Sequence, residues 1–397
     1  MINSLTSQRI RSIDVFRGIT ILVMIFVNDV AGVSGIPGWM KHKAANEDAM
    51  TFVDVVFPAF LFIVGMSMPF AINRRLSRGD SFWKLQGHIL WRTLGLLVLG
   101  FFMVNSGGGN QKFMIIPKEA WSLLFYLSAI LVWNVYQFKN KTWAWLLRGI
   151  GVAGLIILAF LYRAGENGEQ GMTPKWWGIL GLIGWAYLFS SIFYQLLRGK
   201  IFWLLIAIVF CLAWYMVSRS AGAGEYPLLR WMAKWSGDAA HTSIVLSGVV
   251  VSLIFFEEKI SRKINRRFLY AGIFALSTAI AAYFIRPYFG ISKIYATPSW
   301  CLYCVAICVV LYGVLYWLTD VLRYSKWTEF FQPAASNALL VYILPAIIFH
   351  IQQLTGLYFM PASFHQGLLG IAWSACFAII MMLLAMGLNR VKIRLQL

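Results

Sequence analysis

Charge is scarce in this chain. Only 12% of its residues are Asp, Glu, Lys or Arg, against 60% that are hydrophobic, and the mean hydropathy is +0.71. A water-soluble core could not hide that much apolar side chain, so a soluble globular protein is excluded. Acidic residues are the scarcer sign, 15 beside 34 basic ones, and so little total charge also excludes a disordered tail. The five cysteines, Cys211, Cys301, Cys304, Cys308 and Cys376, all lie inside apolar segments, which excludes a disulfide-stapled module. Cys301, Cys304 and Cys308 share a helical face, where packing is the expected role and no metal site is expected. Glycine, at 33, has no three-residue period, so the chain is not collagen-like.

What is abundant is apolar sequence in long runs. A bilayer core takes about 20 apolar residues per helix, and such runs recur between charged or Gly/Pro-rich breaks. Twelve are expected, over 17–37, 51–73, 86–105, 120–138, 143–162, 175–197, 201–218, 240–257, 268–287, 298–322, 332–351 and 368–389. The fold class is therefore an all-α polytopic membrane helix bundle of about 12 transmembrane helices, read as a single domain over 1–397. Arg9, Arg11 and Arg17 precede a first run long enough to span, so that run is expected to remain as a helix and not to be cleaved.

The net charge of +19 would suggest nucleic acid in a soluble protein. Here the basic residues sit in short clusters between apolar runs, where they orient helices, and no nucleic-acid partner is expected. With a cytoplasmic N-terminus, 23 of the 34 basic residues fall on one side of the membrane, including Arg74, Arg75, Lys259, Arg262, Lys263, Arg266 and Arg267. The positive-inside rule then puts both termini in the cytoplasm. His42, His241, His350 and His365 fall at the outer face, and only His88 lies near the cytoplasm. Each alone reads as an interfacial polar residue, but together they mark the outer face as the place for chemistry.

The densest polar signal is in the first two helices. At 100° per residue, Asp14, Gly18, Ile21, Ile25 and Asn28 lie close to one line, so this face should look into the bundle. On the second helix Asp54, Pro58, Leu61 and Gly65 form a similar stripe, whose small or kinking members let another backbone approach. A carboxylate at the edge of a membrane helix needs a partner or a wet cavity, which makes Asp54 a functional candidate, with a structural hydrogen bond as the competing account. His42 stands between Lys41 and Lys43 in the loop before it, a setting that favours the neutral, proton-accepting imidazole.

Several of these residues carry a family resemblance. Arg11-x-Ser-x-Asp14-x-x-Arg17-Gly18, Val27-Asn28, Lys41-His42 and Asp54-x-Val-Phe57-Pro58-x-Phe60-x-Phe62-Ile63-x-Gly65 resemble the heparan-alpha-glucosaminide N-acetyltransferase family of membrane acyltransferases, with the strongest match over 9–75. Fainter echoes are Thr297-Pro298-Ser299-Trp300 and Phe330-Phe331-x-Pro333-x-x-Ser336-Asn337. The resemblance implies an acyltransferase that moves an acetyl group from cytoplasmic acetyl-CoA to a sugar or glycan acceptor on the outer, periplasmic side of a bacterial inner membrane. It implies catalytic roles for His42, Asp54 and Asn28, with His42 as general base or transient acetyl carrier. It also implies acetyl-CoA contacts from Asn337 and Ser336, and acceptor contacts from Asp238 and His241. Arg74, Arg75 and Arg266 are candidates for the phosphates of CoA on charge alone, although topology accounts for the same charges.

The chain departs from the family where Asn46-Glu47-Asp48 follows the loop histidine and in Trp121-Ser-Leu-Leu-Phe-Tyr, which leaves the acceptor open. Residues 175–218 read as a two-helix insertion. A secondary transporter and a membrane sugar O-acyltransferase are alternative readings. No second copy of the Asp14-x-x-Arg17-Gly18 or Asp54-x-x-Phe57-Pro58 pattern occurs in 200–397, which counts against a transporter built of repeats. Oligomeric state is open, a homodimer included.

Overall fold

The computed structural model describes residues 10–257, 260, 263–358 and 362–396, so Arg9, Lys259 and Arg262 of the basic clusters lie outside the described residues. Among the described residues the regular structure is helical, apart from isolated bridges. Twelve long helices appear, one for each expected run: α1 Arg11–Val30, α2 Val56–Ser77, α3 Phe82–Ser106, α4 Lys118–Trp133, α5 Lys141–Leu161, α6 Gly178–Leu196, α7 Ile201–Ser218, α8 Ser236–Phe256, α9 Ile264–Phe289, α10 Pro298–Tyr316, α11 Ala338–Thr355 and α12 Gly367–Arg390. Ten of them are long and apolar enough to cross a bilayer. The other two are α1, which carries Arg11, Asp14 and Arg17 at its start, and α4, with 16 residues. The protein is an all-α polytopic integral membrane protein.

Helix ends depart from the expected spans where local chemistry intervenes. The run expected to begin at 332 breaks at Asn337, with a short helix Gln332–Ser336 before α11. After α10 the chain widens into a π-turn, Trp317–Val321. A short amphipathic helix, Pro227–Lys234, precedes α8, and its proline stands in the first turn, where no amide partner is lost.

The chain divides into two compact units. The first comprises Met1–Thr20, Pro37–Thr93 and Ile183–Glu329, and the second Ile21–Ile36, Leu94–Leu182 and Phe330–Leu397. In the first, α8 is central, with 89% of its spanning window buried, and it packs on α2, α7 and α10. Lipid tails are as apolar as leucine, so close backbone packing must supply what the hydrophobic effect gives a soluble core. The α2–α8 crossing does this: a Cβ on Gly65 would collide with the Val245 carbonyl, and one on Gly248 with the Phe62 carbonyl. The expected small-residue stripe thus has its partner in α8. Ser243 and Ser247 of this buried helix satisfy their hydroxyls on the carbonyls of Ala240 and Ser243, at 2.6 and 2.7 Å.

In the second unit α4 packs on α5 and α11, and α11 on α12. Only 17% of the α5 window is buried, and Trp143, Trp145, Ile156, Ile157 and Phe160 are exposed, as befits a lipid-facing helix. The C-terminal segment returns along 133–135, where Val135 N–H donates to the Arg394 carbonyl at 2.8 Å and Gln396 N–H to the Trp133 carbonyl at 3.0 Å.

Candidate functional site

Between α1 and α2 the chain forms a loop ending in a single 3-10 turn, Phe52–Val55. Asp54 falls on that turn because Thr51 precedes it by three residues: the Thr51 amide donates to Asp54 Oδ2 at 3.0 Å, the reach-back half of a capping box. The Thr51 hydroxyl donates to the Lys41 carbonyl at 3.0 Å, and so clamps the backbone just before His42. One threonine thereby fixes both partners of the contact that matters.

That contact is between His42 Nδ1 and Asp54 Oδ1, 2.7 Å apart. Asp54 is 2% exposed and the His42 side chain 37%. An acceptor-only carboxylate against Nδ1 assigns the ring proton to Nδ1 and leaves the lone pair on Nε2. The pair is a buried acid orienting a solvent-reaching base.

A third residue, Lys293, completes the site. Its Nζ lies 3.2 Å from both ring nitrogens of His42. An in-plane approach at those two distances would collide with the carbon between the nitrogens, so the ammonium stands off the ring plane. The loop between α9 and α10 holds it there. Gly290 ends α9 with φ of +63°, a left-handed conformation suited to glycine, and the next amide, of Ile291, donates to Asp48 Oδ1 at 2.7 Å. Arg286 Nε pairs with the same carboxylate at 3.0 Å, and Ser292 Oγ donates to the Ala45 carbonyl at 2.9 Å. Thr297 closes the loop by accepting from the Ser292 amide at 2.9 Å, and Ser299 donates to the Gly290 carbonyl. The Thr297-Pro298-Ser299-Trp300 motif is thus the scaffold of the loop that carries Lys293. Burial pushes the Lys293 ammonium below its usual range, and the Asp54 carboxylate offsets part of that.

Asp238 and His241 are buried on one face of α8. The His241 ring is edge-on to Phe57, at 5.2 Å, and to Trp300, at 6.3 Å. Asp238 Oδ1, His241 Nδ1 and Trp300 Nε1 are buried without hydrogen-bond partners. Because Phe57 is three residues after Asp54, the His241 ring lies next to the helix start that carries the dyad.

The remaining expected residues are placed otherwise. Asn28 is exposed and belongs to the second unit, where its neighbour Asp29 accepts from Ser374 at 2.7 Å. Arg17 reaches Ser67 of α2 at 2.6 Å, and Ser12 meets the Tyr312 hydroxyl at 3.0 Å, so the α1 motif joins α1 to α2 and α10. Arg75 is paired with Asp80 at 2.9 Å, while Arg74 and Arg266 are exposed. Lys84 and Arg75 hold the Asp80 carboxyl below its usual range. Ser336 is exposed. Asn337 is fully buried and holds the C-terminal segment, with Nδ2 donating to Asn389 Oδ1 at 2.7 Å and the Ile393 carbonyl at 2.9 Å, and Oδ1 accepting from the Leu395 amide at 3.0 Å. His350 Nδ1 contacts Glu119 Oε2, a second histidine–carboxylate pair, in the second unit.

The family described as Domain of unknown function (DUF5009) matches residues 9–247, more than half of the 397. The chain belongs to the DUF5009 family. This DUF5009 member is also similar, over shorter stretches, to proteins of two other names. It is 39% identical over 97 residues to heparan-alpha-glucosaminide N-acetyltransferase of Homo sapiens, covering 24% of the chain and 14% of that protein. To the Mus musculus enzyme it is 38% identical over 100 residues, or 25% of the chain and 14% of the enzyme. It is 25% identical over 135 residues to nuclear envelope integral membrane protein 1 of Xenopus tropicalis, covering 34% and 31%. The matches thus span about a seventh of each acetyltransferase, and the resemblance read from the sequence is a local one.

Sequence reasoning reached His42 and Asp54 but missed Lys293. No spacing rule joins residues 251 positions apart. The one available signal was the adjoining Thr297-Pro298-Ser299-Trp300 motif.

Proposed function

We propose that this protein is a transmembrane acetyltransferase, which takes an acetyl group from acetyl-CoA on the cytoplasmic side and delivers it to a sugar or glycan acceptor on the outer side of a bacterial inner membrane. The single observation carrying this reading is the His42–Asp54 dyad, with the carboxylate buried and Nε2 directed away from it. The local likeness to two N-acetyltransferases supports it.

In this reading His42 Nε2 takes the proton of the acceptor's amine or hydroxyl as that group attacks the acetyl carbonyl, or it carries the acetyl group itself between half-reactions. Asp54 holds the ring and balances the imidazolium that forms. Asp238 and His241 are the proposed acceptor contacts. Each buried polar atom left without a partner costs about 1–3 kcal/mol, a cost that water or the acceptor's own polar groups would remove. Arg74, Arg75 and Arg266 are the proposed partners of the CoA phosphates. Arg74 is twenty residues along from Asp54, about 30 Å at 1.5 Å per residue, so the donor's long arm must enter the bundle for its thioester to approach the dyad. For Asn337 and Ser336 to meet the donor, the C-terminal segment occupying the Asn337 amide must first withdraw. Nothing in the fold supports a homodimer, and none is proposed.

The test is incubation of the purified protein with radiolabelled acetyl-CoA and a panel of amino sugars, hydroxyl-only sugars and glycan fragments. Label on an acceptor supports the reading, and the amino or hydroxyl class that is labelled distinguishes N- from O-acetylation. Unchanged acetyl-CoA, together with uptake of labelled sugar by proteoliposomes, would replace it with a transporter.

A further inference from the structure

We infer that Lys293 is a further catalytic residue, whose ammonium stabilises the oxyanion formed on the acetyl carbonyl during transfer. This rests on the acetyltransfer reading above.

Negative charge develops on the acetyl oxygen during transfer. As the acceptor's lone pair forms a bond to the carbonyl carbon, the acceptor proton passes to His42 Nε2 and the carbonyl π pair moves onto oxygen. Collapse of that oxyanion restores the C=O bond and expels the CoA thiolate, which takes back the proton from Nε2. The donor becomes the free thiol, the acceptor is acetylated and the dyad is restored. The reacting carbonyl must therefore lie one bond beyond the group hydrogen-bonded to Nε2. A cation 3.2 Å from that nitrogen is within reach of the oxygen that becomes negative.

Lys293 has the properties the task requires. Nδ1 already donates to Asp54 and the ammonium stands off the ring plane, so its N–H groups are kept for another oxygen. Its charge is half-buried and poorly solvated, which makes it worth more to an incipient anion than a fully hydrated lysine would be. Its position does not depend on its own side chain: Asp48, Ser292, Thr297 and Ser299 hold the loop through groups other than the ammonium. Replacement of the side chain should leave the loop in place.

The experiment compares wild type, Lys293→Met and Lys293→Arg with radiolabelled acetyl-CoA as donor and D-glucosamine or its oligomers as probe acceptor, each variant also being checked by thermal unfolding in detergent. Loss of an oxyanion donor typically costs about 10²–10³ in kcat. Lys293→Met should lose about 10²-fold in kcat with the donor KM within about threefold, and Lys293→Arg should recover at least about tenfold of that loss. A Lys293→Met protein with kcat within about threefold of wild type, or one whose loss lies wholly in KM, overturns the role. If Lys293→Met does not fold, Lys293→Arg decides: kcat equal to that of a folded Lys293→Gln protein overturns the role, and a higher kcat upholds it. No acetyl transfer by the wild type to any acceptor of the wider panel would defeat the acetyltransferase reading itself, and this inference with it. Transfer by the wild type alongside an unimpaired Lys293→Met protein defeats only this inference.

Discussion

The Asp54 carboxylate, 2% exposed, sits 2.7 Å from Nδ1 of His42, whose ring is more than a third exposed. A buried acid holding a half-open base fixes which ring nitrogen faces solvent.

General-base catalysis contributes about 10²–10⁴ in rate. His42→Ala should therefore lose acetyl transfer by that factor, while acetyl-CoA binding and the unfolding temperature in detergent stay near wild type. Turnover assays, isothermal titration and scanning fluorimetry on the same preparation check it. Near-normal transfer by a folded His42→Ala protein would move the role to His241, His350 or His365.

Asp54→Asn should reduce kcat by less than His42→Ala does. The amide can still accept from the Thr51 amide and preserve the turn, but it no longer balances a positive imidazole. Thr51→Ala removes the hydroxyl clamp on the Lys41 carbonyl and should cost about 1 kcal/mol of stability together with part of kcat. A Thr51→Ala protein with full activity would show that the clamp does not position His42.

Gly65→Leu and Gly248→Leu should each abolish stable folding, because neither Cβ can be admitted without separating α2 from α8. Overpacking by a single group typically costs about 1–3 kcal/mol, and here the obstruction is backbone and cannot rotate away. Monodispersity after detergent extraction reports the outcome. A Gly65→Leu protein as monodisperse and as heat-stable as wild type would contradict the close crossing.

Cysteines placed at Lys41 and Lys263 should label from the outer and the cytoplasmic side respectively if both termini are cytoplasmic. Cys376 is the exposed native cysteine and should first be changed to serine, while the other four are buried. Labelling of both positions from one side would reverse the orientation and the donor's side with it.

Asn337→Ala removes a buried amide that makes three hydrogen bonds to the last two stretches of the chain. At about 0.5–1.5 kcal/mol each, their loss should free residues 391–396. Faster hydrogen exchange in that segment, with acetyl-CoA binding unchanged, would make Asn337 structural. Weaker acetyl-CoA binding at unchanged exchange would assign it to the donor.

The sequence by itself determined the class of fold and pointed to two of the three residues that meet at His42. Among the described residues the twelve apolar runs became twelve long helices, ten of them long and apolar enough to cross a bilayer, where a backbone has no other partner than itself. His42 and Asp54 were legible because they are twelve residues apart, and one loop with one turn can bring them together. Local chemistry beyond hydropathy was harder to read: the break falls at Asn337, whose side-chain partners are 52 to 58 residues away, and no periodicity announces it. Asn28 aligned with the polar face of α1 on a helical wheel, yet it is exposed, because a wheel gives direction about one axis and says nothing of what stands opposite. Tertiary structure alone decided Lys293. Its ammonium reaches His42 through a loop fixed by Asp48, Ser292 and Thr297, and the packing of α8 against α2 and α10 sets His241 against both Phe57 and Trp300. Contacts of that kind depend on how helices cross, which is settled by where a backbone can approach, as at Gly65 and Gly248, and not by the polarity of any one segment.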